Sequence, residues 1–270
     1  MLGVKPGSYY AWIKRPASRR TKEDSVLLKR IGEIHRSSKG VYGSPKIFKL
    51  LQAQGARCGK NRVARLMKDN RIMAKIRKKF RVKSKVIESS HASKNLLNRV
   101  FRVEKPNKIW VSDITYIKTR RGWLYLCVFM DLFSRKIVGW SMSRHMRSEM
   151  VVEALRMAYR NRRPGEGLIV HSDQGSQYGS AEFRGALKGM YMIQSMSRRG
   201  NCWDNACAES FFHLLKTELV QFVDYQDHMD AKMSIFEYLE VFYNRSRIHS
   251  ALGYLSPAVY ELKNSVSLCA

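Results

Sequence analysis

Gly167-Leu168-Ile169-Val170-His171-Ser172-Asp173-Gln174-Gly175-Ser176-Gln177-Tyr178 changes character at its midpoint. Leu168, Ile169 and Val170 form an aliphatic, β-branched run after the Pro164-Gly165 turn, the pattern of a short buried strand. The strand gives way at Asp173 to a polar, glycine-containing loop. An acid just past the C-terminal end of a buried strand stands over the crevice in which open α/β sheets bind ligands.

Two further carboxylates have a comparable setting. In Ile109-Trp110-Val111-Ser112-Asp113-Ile114-Thr115-Tyr116-Ile117, alternation puts Ile109, Val111, Asp113, Thr115 and Ile117 on one face and Trp110, Ser112, Ile114 and Tyr116 on the other. The strand is apolar on both sides, so Asp113 is expected at a largely buried site. Glu209 lies in Asp204-Asn205-Ala206-Cys207-Ala208-Glu209-Ser210-Phe211-Phe212-His213-Leu214-Leu215-Lys216-Thr217-Glu218-Leu219. There Phe212, Leu215 and Leu219 recur at i, i+3 and i+7, and Asp204 has the chemistry of an N-cap. The segment predicts a helix whose polar face carries Glu209, His213 and Lys216.

Around these stretches the second half reads as strands 109–117, 123–130 and 135–142, helix 148–162, strand 167–171, helix 180–189, strand 191–195 and helix 204–220. Arg120-Arg121-Gly122 and Ser134-Arg135 are turn signals that join the first three strands as hairpins, and the later strands alternate with helices. That order predicts an α/β fold, a mixed five-stranded sheet with flanking helices. Beyond Gln221, the set Met233, Phe236, Leu239 and Phe242 with Tyr243 predicts one more amphipathic helix.

The first half is helical and basic. Val26, Leu27, Ile31 and Ile34 recur at helical spacing, and Tyr42-Gly43-Ser44-Pro45 gives a turn, a serine cap and a proline that starts a helix packing Ile47, Leu50 and Leu51. A second helix from about Lys60 to Asn70 turns Val63, Leu66 and Met67 inward and Arg62, Arg65 and Lys68 outward. Two short helices joined by a glycine-containing turn, the second one basic, resemble a helix-turn-helix over about 42–72. Lys75, Arg77, Lys78, Lys79, Arg81, Lys83 and Lys85 follow, a run suited to phosphate contact without base specificity.

The net charge of +28 demands an anionic partner, and its distribution says where. Residues 1–105 hold 29 basic against 6 acidic side chains, and residues 106–270 hold 21 against 16. This asymmetry predicts a basic nucleic-acid-binding front part and a nearly balanced catalytic back part. The boundary is placed near Asn98 to Asn107, which gives regions 1–100 and 101–265. The five cysteines are irregularly spaced, without a second pair at zinc spacing, and read as reduced thiols. The longest apolar run, Trp123 to Met130, is too short to span a bilayer, and no leader opens the chain. A soluble, cytoplasmic protein is expected, nucleoid-associated when bound to DNA.

Asp113, Asp173 and Glu209, with 35 residues between the last two, resemble the catalytic trio of the DDE transposases and retroviral integrases. The surrounding words narrow the resemblance: Trp110-x-x-Asp113-x-Thr115-Tyr116, His171-Ser172-Asp173-x-Gly175-Ser176-Gln177-Tyr178, Asp204-Asn205-Ala206-x-x-Glu209-Ser210-Phe211-Phe212-x-x-Leu215-Lys216-x-Glu218, and Tyr243-Asn244-x-x-Arg247-x-His249-Ser250. Together they resemble the second-reading-frame transposase of the bacterial insertion-sequence-three family. The resemblance implies a ribonuclease-H-like core in which the strands bearing Asp113 and Asp173 are neighbours. It implies metal-dependent cleavage at transposon ends followed by strand transfer. The partners would be double-stranded DNA, as terminal repeats and target, and further copies of the chain on that DNA, with or without an upstream-frame protein.

Phosphodiester transfer needs an activated attacking oxygen, a stabilised leaving oxygen and a neutralised phosphate, which two Mg²⁺ ions about 3.5–4 Å apart supply together. Mg²⁺ prefers hard oxygen ligands and keeps several waters, so three acids are a fitting number, and Mn²⁺ can substitute. The resemblance implies Asp113 as the ligand shared by both ions, Asp173 on one and Glu209 on the other, with Lys216 on the terminal DNA phosphates. His213 fits either a similar contact or a solvent-facing position. Arg62, Arg65, Lys78 and Lys79 are the remaining candidate DNA contacts.

Asp131 is the rival to Asp113, although as an acid near a strand end it also suits a hairpin turn. Arg247 and His249 fit either a DNA contact or a structural ion pair. With Tyr254 or Tyr260 they also supply the residue types of a tyrosine recombinase, which would form a phosphotyrosyl adduct without metal. A DNA-binding regulator with a decayed acidic trio is the non-enzymatic alternative, against which the presence of all three acids counts.

Overall fold

The computed structural model describes residues 5–16, 18–75, 92–199 and 201–266. The chain divides into two compact units, Met1–Lys75 and Ile76–Ala270. In the first, helix α1, Pro6–Lys14, buries no side chain. Helices α2 (Arg19–Ser37), α3 (Ser44–Ala53) and α4 (Lys60–Asp69) pack on one another through Leu27, Ile31 and Ile34, Ile47 and Leu51, and Val63, Leu66 and Met67. These are the predicted faces except at Val26, which is exposed. It precedes Leu27 by one residue, about 100° off the line of Leu27, Ile31 and Ile34. Ser44 does not cap α3 either. It already lies inside the helix, with Gly43 in the capping position. Gly55 follows α3 with φ +76°, a left-handed step that glycine takes without strain.

The second unit holds the sheet. Strands β1 (Ile109–Thr119), β2 (Gly122–Asp131) and β3 (Ile137–Ser143) form an antiparallel meander. Helix α5 (Ser148–Arg162) leads to β4 (Ile169–Ser172), and α6 (Ala181–Gly189) leads to β5 (Ile193–Met196). The strand order is β3-β2-β1-β4-β5, with β4 parallel to β1 and β5 parallel to β4. This is the mixed, ribonuclease-H-like sheet that the sequence pattern and the resemblance anticipate.

Trp110, Cys127, Phe129, Val138 and Val170 of the sheet form one core with Val151, Ala154, Leu155 and Ala158 of α5 and Phe183 and Leu187 of α6. The alternate residues Val111, Ile117, Leu124, Leu126 and Val128 are buried too, and by the two-residue period they face the other side. Helix α7, Ala206–Glu218, and helix α8, His228–Phe236, pack against β1.

Gly139 of β3 sets the distance to α5. A Cβ there would lie 2.3 Å from the Ala154 carbonyl oxygen and 2.6 Å from the Ala158 nitrogen, both backbone atoms. Gly139→Ala must push sheet and helix apart, so a loss of about 3 kcal/mol is expected in urea unfolding, the upper part of the usual overpacking range. A loss below about 0.5 kcal/mol, the size of a neutral surface change, would show that the two elements do not meet as described.

Helix α8 continues as a π-helical stretch, Glu237–Ser246, and α9 spans Pro257–Val266. The predicted stripe through Met233 and Phe236 is corrected here: both are at least half exposed, and the buried line is Ala231, Ile235, Tyr238, Leu239, Phe242 and Tyr243. Steps of three residues advance only about 300° around a helix, so the run from Leu239 back through Phe236 to Met233 drifts off the buried face, which keeps the regular 3.6-residue period.

Candidate active site

Val111 of β1 pairs with His171 of β4 in parallel register. Asp113 and Asp173 stand two residues beyond these partners, so neighbouring strands about 4.8 Å apart bring the two acids level. Asp113 Oδ1 accepts the Ile114 N–H at 2.8 Å, and Asp173 Oδ1 accepts the Gly175 N–H at 3.0 Å. Gly175 permits this closeness, because a Cβ there would lie 3.0 Å from Asp173 Oδ1. Glu209 is exposed in the first part of α7, close enough for its charge to act on Asp113, as that of Asp173 does.

The Asp173 charge acts on both other acids, and the Glu209 charge acts on Asp113. Burial, then the Asp173 charge, pushes the Asp113 carboxyl well above the usual carboxylate range; the Ile114 N–H opposes, the Glu209 charge adds and Lys216 opposes. Burial also raises Asp173 against the Gly175 N–H, and burial followed by the Asp173 charge raises Glu209. Lys216 is half-buried with its Nζ 4.9 Å from the Tyr116 ring centroid. Burial lowers its pKa, while the Asp113 charge works the other way. Among the described residues, no three His, Cys, Asp or Glu side chains are gathered as a ready-made metal cage.

The supporting contacts are not legible in the sequence. Asn205 Nδ2 donates to the Ser112 carbonyl at 3.0 Å, which ties the start of α7 to the peptide before Asp113. Ser112 Oγ and Tyr178 Oη are 2.8 Å apart inside the core, beneath the Asp113 strand. His171 is buried between Ser195 Oγ at 2.8 Å and Ser197 Oγ at 3.2 Å, and burial lowers its pKa to about 4. His171, Tyr178 and Asn205 lie within the motif words, but only the fold shows what each one touches.

Several other candidates take structural places. Asp131 is fully buried and accepts from the Asn107 and Phe133 N–H groups at 2.8 and 3.0 Å and from Arg162 at 3.1 Å. It closes the β2–β3 turn. Asp204 is not the N-cap of α7: it sits buried in a 3₁₀ turn, Cys202–Asn205, and is ion-paired with Arg99 and Arg198. Arg247 is buried and donates through Nε and a terminal nitrogen to Glu218, with His249 3.3 Å from its other terminal nitrogen. Of the two readings open for Arg247, the ion pair is the one realised.

Arg62 and Arg65 reach back to Asp24 of α2, at 2.6 and 2.7 Å, rather than pointing only outward. His213 is exposed on α7. Lys78 and Lys79 lie outside the described residues. Cys58, Cys127 and Cys207 are free thiols, and burial pushes Cys127 up to about 12. Among the described residues, no helix is long and apolar enough to cross a membrane.

Sheet order and the level placing of two acids, one within β1 and one just past β4, define an integrase-type core, preceded by a basic helical unit. Known families agree with both parts: residues 103–202 and 209–264 match models described as integrase core domains, and residues 22–80 match an HTH-like domain. The transposase for insertion sequence element IS904 of Lactococcus lactis is 41% identical over 255 residues, covering 93% of this chain and 99% of its own. Transposase InsF for insertion sequence IS3A of Escherichia coli is 38% identical over 270 residues, covering 98% and 92%. The HTLV-2 integrase catalytic core domain in complex with magnesium aligns with a TM-score of 0.47 at 19% identity, over 58% of this chain and 97% of that one. The chain belongs to the insertion-sequence-three (IS3) family of transposases. It is a transposase and, in class, a polynucleotidyl transferase.

Proposed function

We propose that this transposase cleaves insertion-sequence ends and joins them to target DNA at a divalent-cation centre held by Asp113, Asp173 and Glu209. The observation that carries the reading is the parallel pairing of β1 and β4, which brings Asp113 and Asp173 level, and the charges of Asp173 and Glu209 both raise the Asp113 pKa. Mg²⁺, or Mn²⁺ in its place, fits this donor set. The ligands are hard oxygens, few enough to leave room for water and a substrate phosphate, and a divalent cation relieves their repulsion. Bound with substrate, two such ions supply an activated attacking oxygen, a stabilised leaving oxygen and charge neutralisation at phosphorus.

The chain's own groups orient and bind. Asp113 and Asp173 are each fixed by a backbone N–H, whereas Glu209 is exposed and free to adjust. Lys216, drawn in over Tyr116 and near Asp113, is placed to hold a terminal DNA phosphate, with His213 one turn earlier on the same helix. Arg62, Arg65, Lys78 and Lys79 contact phosphates of the terminal repeat, Arg62 and Arg65 with the N–H donors that Asp24 leaves over. Residues 1–100 thus recognise DNA and residues 101–265 carry out the chemistry. The protein works in the cytoplasm as a homo-oligomer on double-stranded DNA, alone or with an upstream-frame protein. No phosphotyrosyl intermediate is needed, and Arg247, committed to Glu218, is not available to a recombinase site.

Asp173→Asn is expected to keep terminal-repeat binding within about twofold, less than 0.5 kcal/mol, and to abolish cleavage and joining. Gel-shift and strand-transfer assays on the same preparation separate the two. Joining at the wild-type rate would remove Asp173 from the centre.

A further inference from the structure

Asp204 is a fully buried carboxylate that the proposed reaction does not use. Its Oδ2 accepts from Asn95 Nδ2 at 2.9 Å, from the Arg198 N–H at 3.0 Å and from Arg198 Nε at 2.9 Å. Its Oδ1 accepts from Arg99 Nε at 2.9 Å and from a terminal nitrogen of Arg198 at 2.8 Å. Three pieces of chain therefore meet on one side chain: residues 95–99, the loop after β5 and the turn that opens α7. Charge-assisted bonds of this kind are among the stronger polar contacts a protein makes.

Two of the pieces lead to acids of the site, and the third braces β5. The turn continues through Asn205, bonded to the Ser112 carbonyl beside Asp113, into the helix that carries Glu209. The loop after β5 contacts both sides of Asp173, since the Ser197 N–H donates to the Ser172 carbonyl at 2.8 Å and Gln174 Nε2 donates to the Ser197 carbonyl at 3.0 Å. Residues 93–96 run along β5, with the Leu96 N–H on Ser195 Oγ at 2.9 Å and Ser93 Oγ on Gln194 Oε1 at 3.0 Å.

The arm ends in consecutive left-handed residues, Asn98 at φ 41° and Arg99 at φ 63°. Arginine adopts that conformation only where its surroundings enforce it, and here the turn aims the guanidinium at Asp204.

We propose that Asp204 is a positioning residue that sets Glu209 in register with Asp113 and Asp173, and that Arg99, from the segment preceding the core, is a detachable arm of this clamp. The inference rests on reading the three acids as the metal centre. Arg99 is the arm to remove first: its side chain is 46% exposed, and Arg198 continues to satisfy the buried carboxylate without it.

The test uses the full chain, a duplex of the element's own terminal repeat and Mn²⁺. Arg99→Gln is expected to raise the Mn²⁺ concentration for half-maximal joining about tenfold, the scale on which groups supporting metal ligands act. End binding should not change, because Arg99 belongs to the second compact unit and not to the helical unit Met1–Lys75, and Arg99→Lys should restore most of the midpoint. Without metal or DNA, amide exchange in the first turn of α7 should quicken in Arg99→Gln while that of α5 does not. Asp204→Asn should act in the same direction and more strongly; if it fails to fold, Arg99→Gln decides alone. A purely structural role would lower the amount of active protein and leave the Mn²⁺ midpoint in place. A wild-type midpoint in Arg99→Gln overturns the clamp. Asp173→Asn assayed in parallel separates the two claims: if it joins normally the metal centre itself is wrong, and if it is inactive only the clamp has fallen.

Discussion

Asparagine in place of Asp113 is expected to abolish cleavage and joining and, in the absence of metal, to make the protein more stable. The activity loss should be about a thousandfold or more, the upper end of the range seen on removing one group that stabilises transition-state charge. The gain in stability has the same origin. Burial and the Asp173 charge, with Glu209 adding to them, raise the Asp113 carboxyl in the folded state above its unfolded value near 3.8. Folding is therefore favoured where that carboxyl is protonated, and the contribution is lost as pH rises from about 4 through the raised folded value. Asparagine is neutral throughout and removes that loss. Urea unfolding in EDTA between about pH 4 and pH 8, a range that starts at the ordinary carboxylate pKa, should show wild-type stability falling relative to the variant. Mg²⁺ should restore the wild type and leave the variant unmoved. A variant less stable than wild type at the upper end of that range would mean that Asp113 is held by partners other than its acidic neighbours.

The second large effect is expected at Glu218, far from the chemistry. Arg247 and Glu218 are both almost wholly buried, and Tyr238 Oη donates to Glu218 Oε2 at 2.8 Å. Burial opposes the charge on Arg247, yet Glu218 outweighs it and holds the guanidinium pKa above its ordinary value. Glu218→Ala leaves a buried cation and a buried hydroxyl without their acceptor, at a cost of roughly 3–5 kcal/mol. The double variant with Arg247→Leu should recover part of that loss, because a buried pair replaced as a unit costs less than a pair cut in half. A single-variant loss below about 1 kcal/mol, the range of an exposed ion pair, would contradict the burial of this pair at the end of α7.

How much of the molecule is legible in its sequence depends on the range of the interactions involved. Strand alternation around Asp113 and the apolar run before Asp173 are local, and both survive in β1 and β4. So do Val63, Leu66 and Met67 on one face of α4. The resemblance places β1 beside β4, which periodicity cannot, since pairing joins residues distant in sequence. Asp204 has the residue type and place of a helix cap, but it pairs with Arg198 on the loop after β5 and with Asn95 and Arg99, which lie about a hundred positions away. Arg62 and Arg65 read as outward-pointing because nothing near them in the chain is acidic except Asp69. Asp24, on another helix, claims both. The stripe through Met233 fails for a different reason, because successive steps of three residues drift about 60° per step from the 3.6-residue period that the buried side chains follow.

The central claim is that Asp113, Asp173 and Glu209 together bind divalent cations against a DNA phosphate. Anomalous scattering from Mn²⁺ in crystals of the full chain with a terminal-repeat duplex tests it most directly. The expected map has manganese peaks within about 2.0–2.4 Å of oxygens from all three carboxylates, as for other hard cations of this size. Manganese bound elsewhere, with these three side chains uncoordinated in a complex competent to join ends, would contradict it.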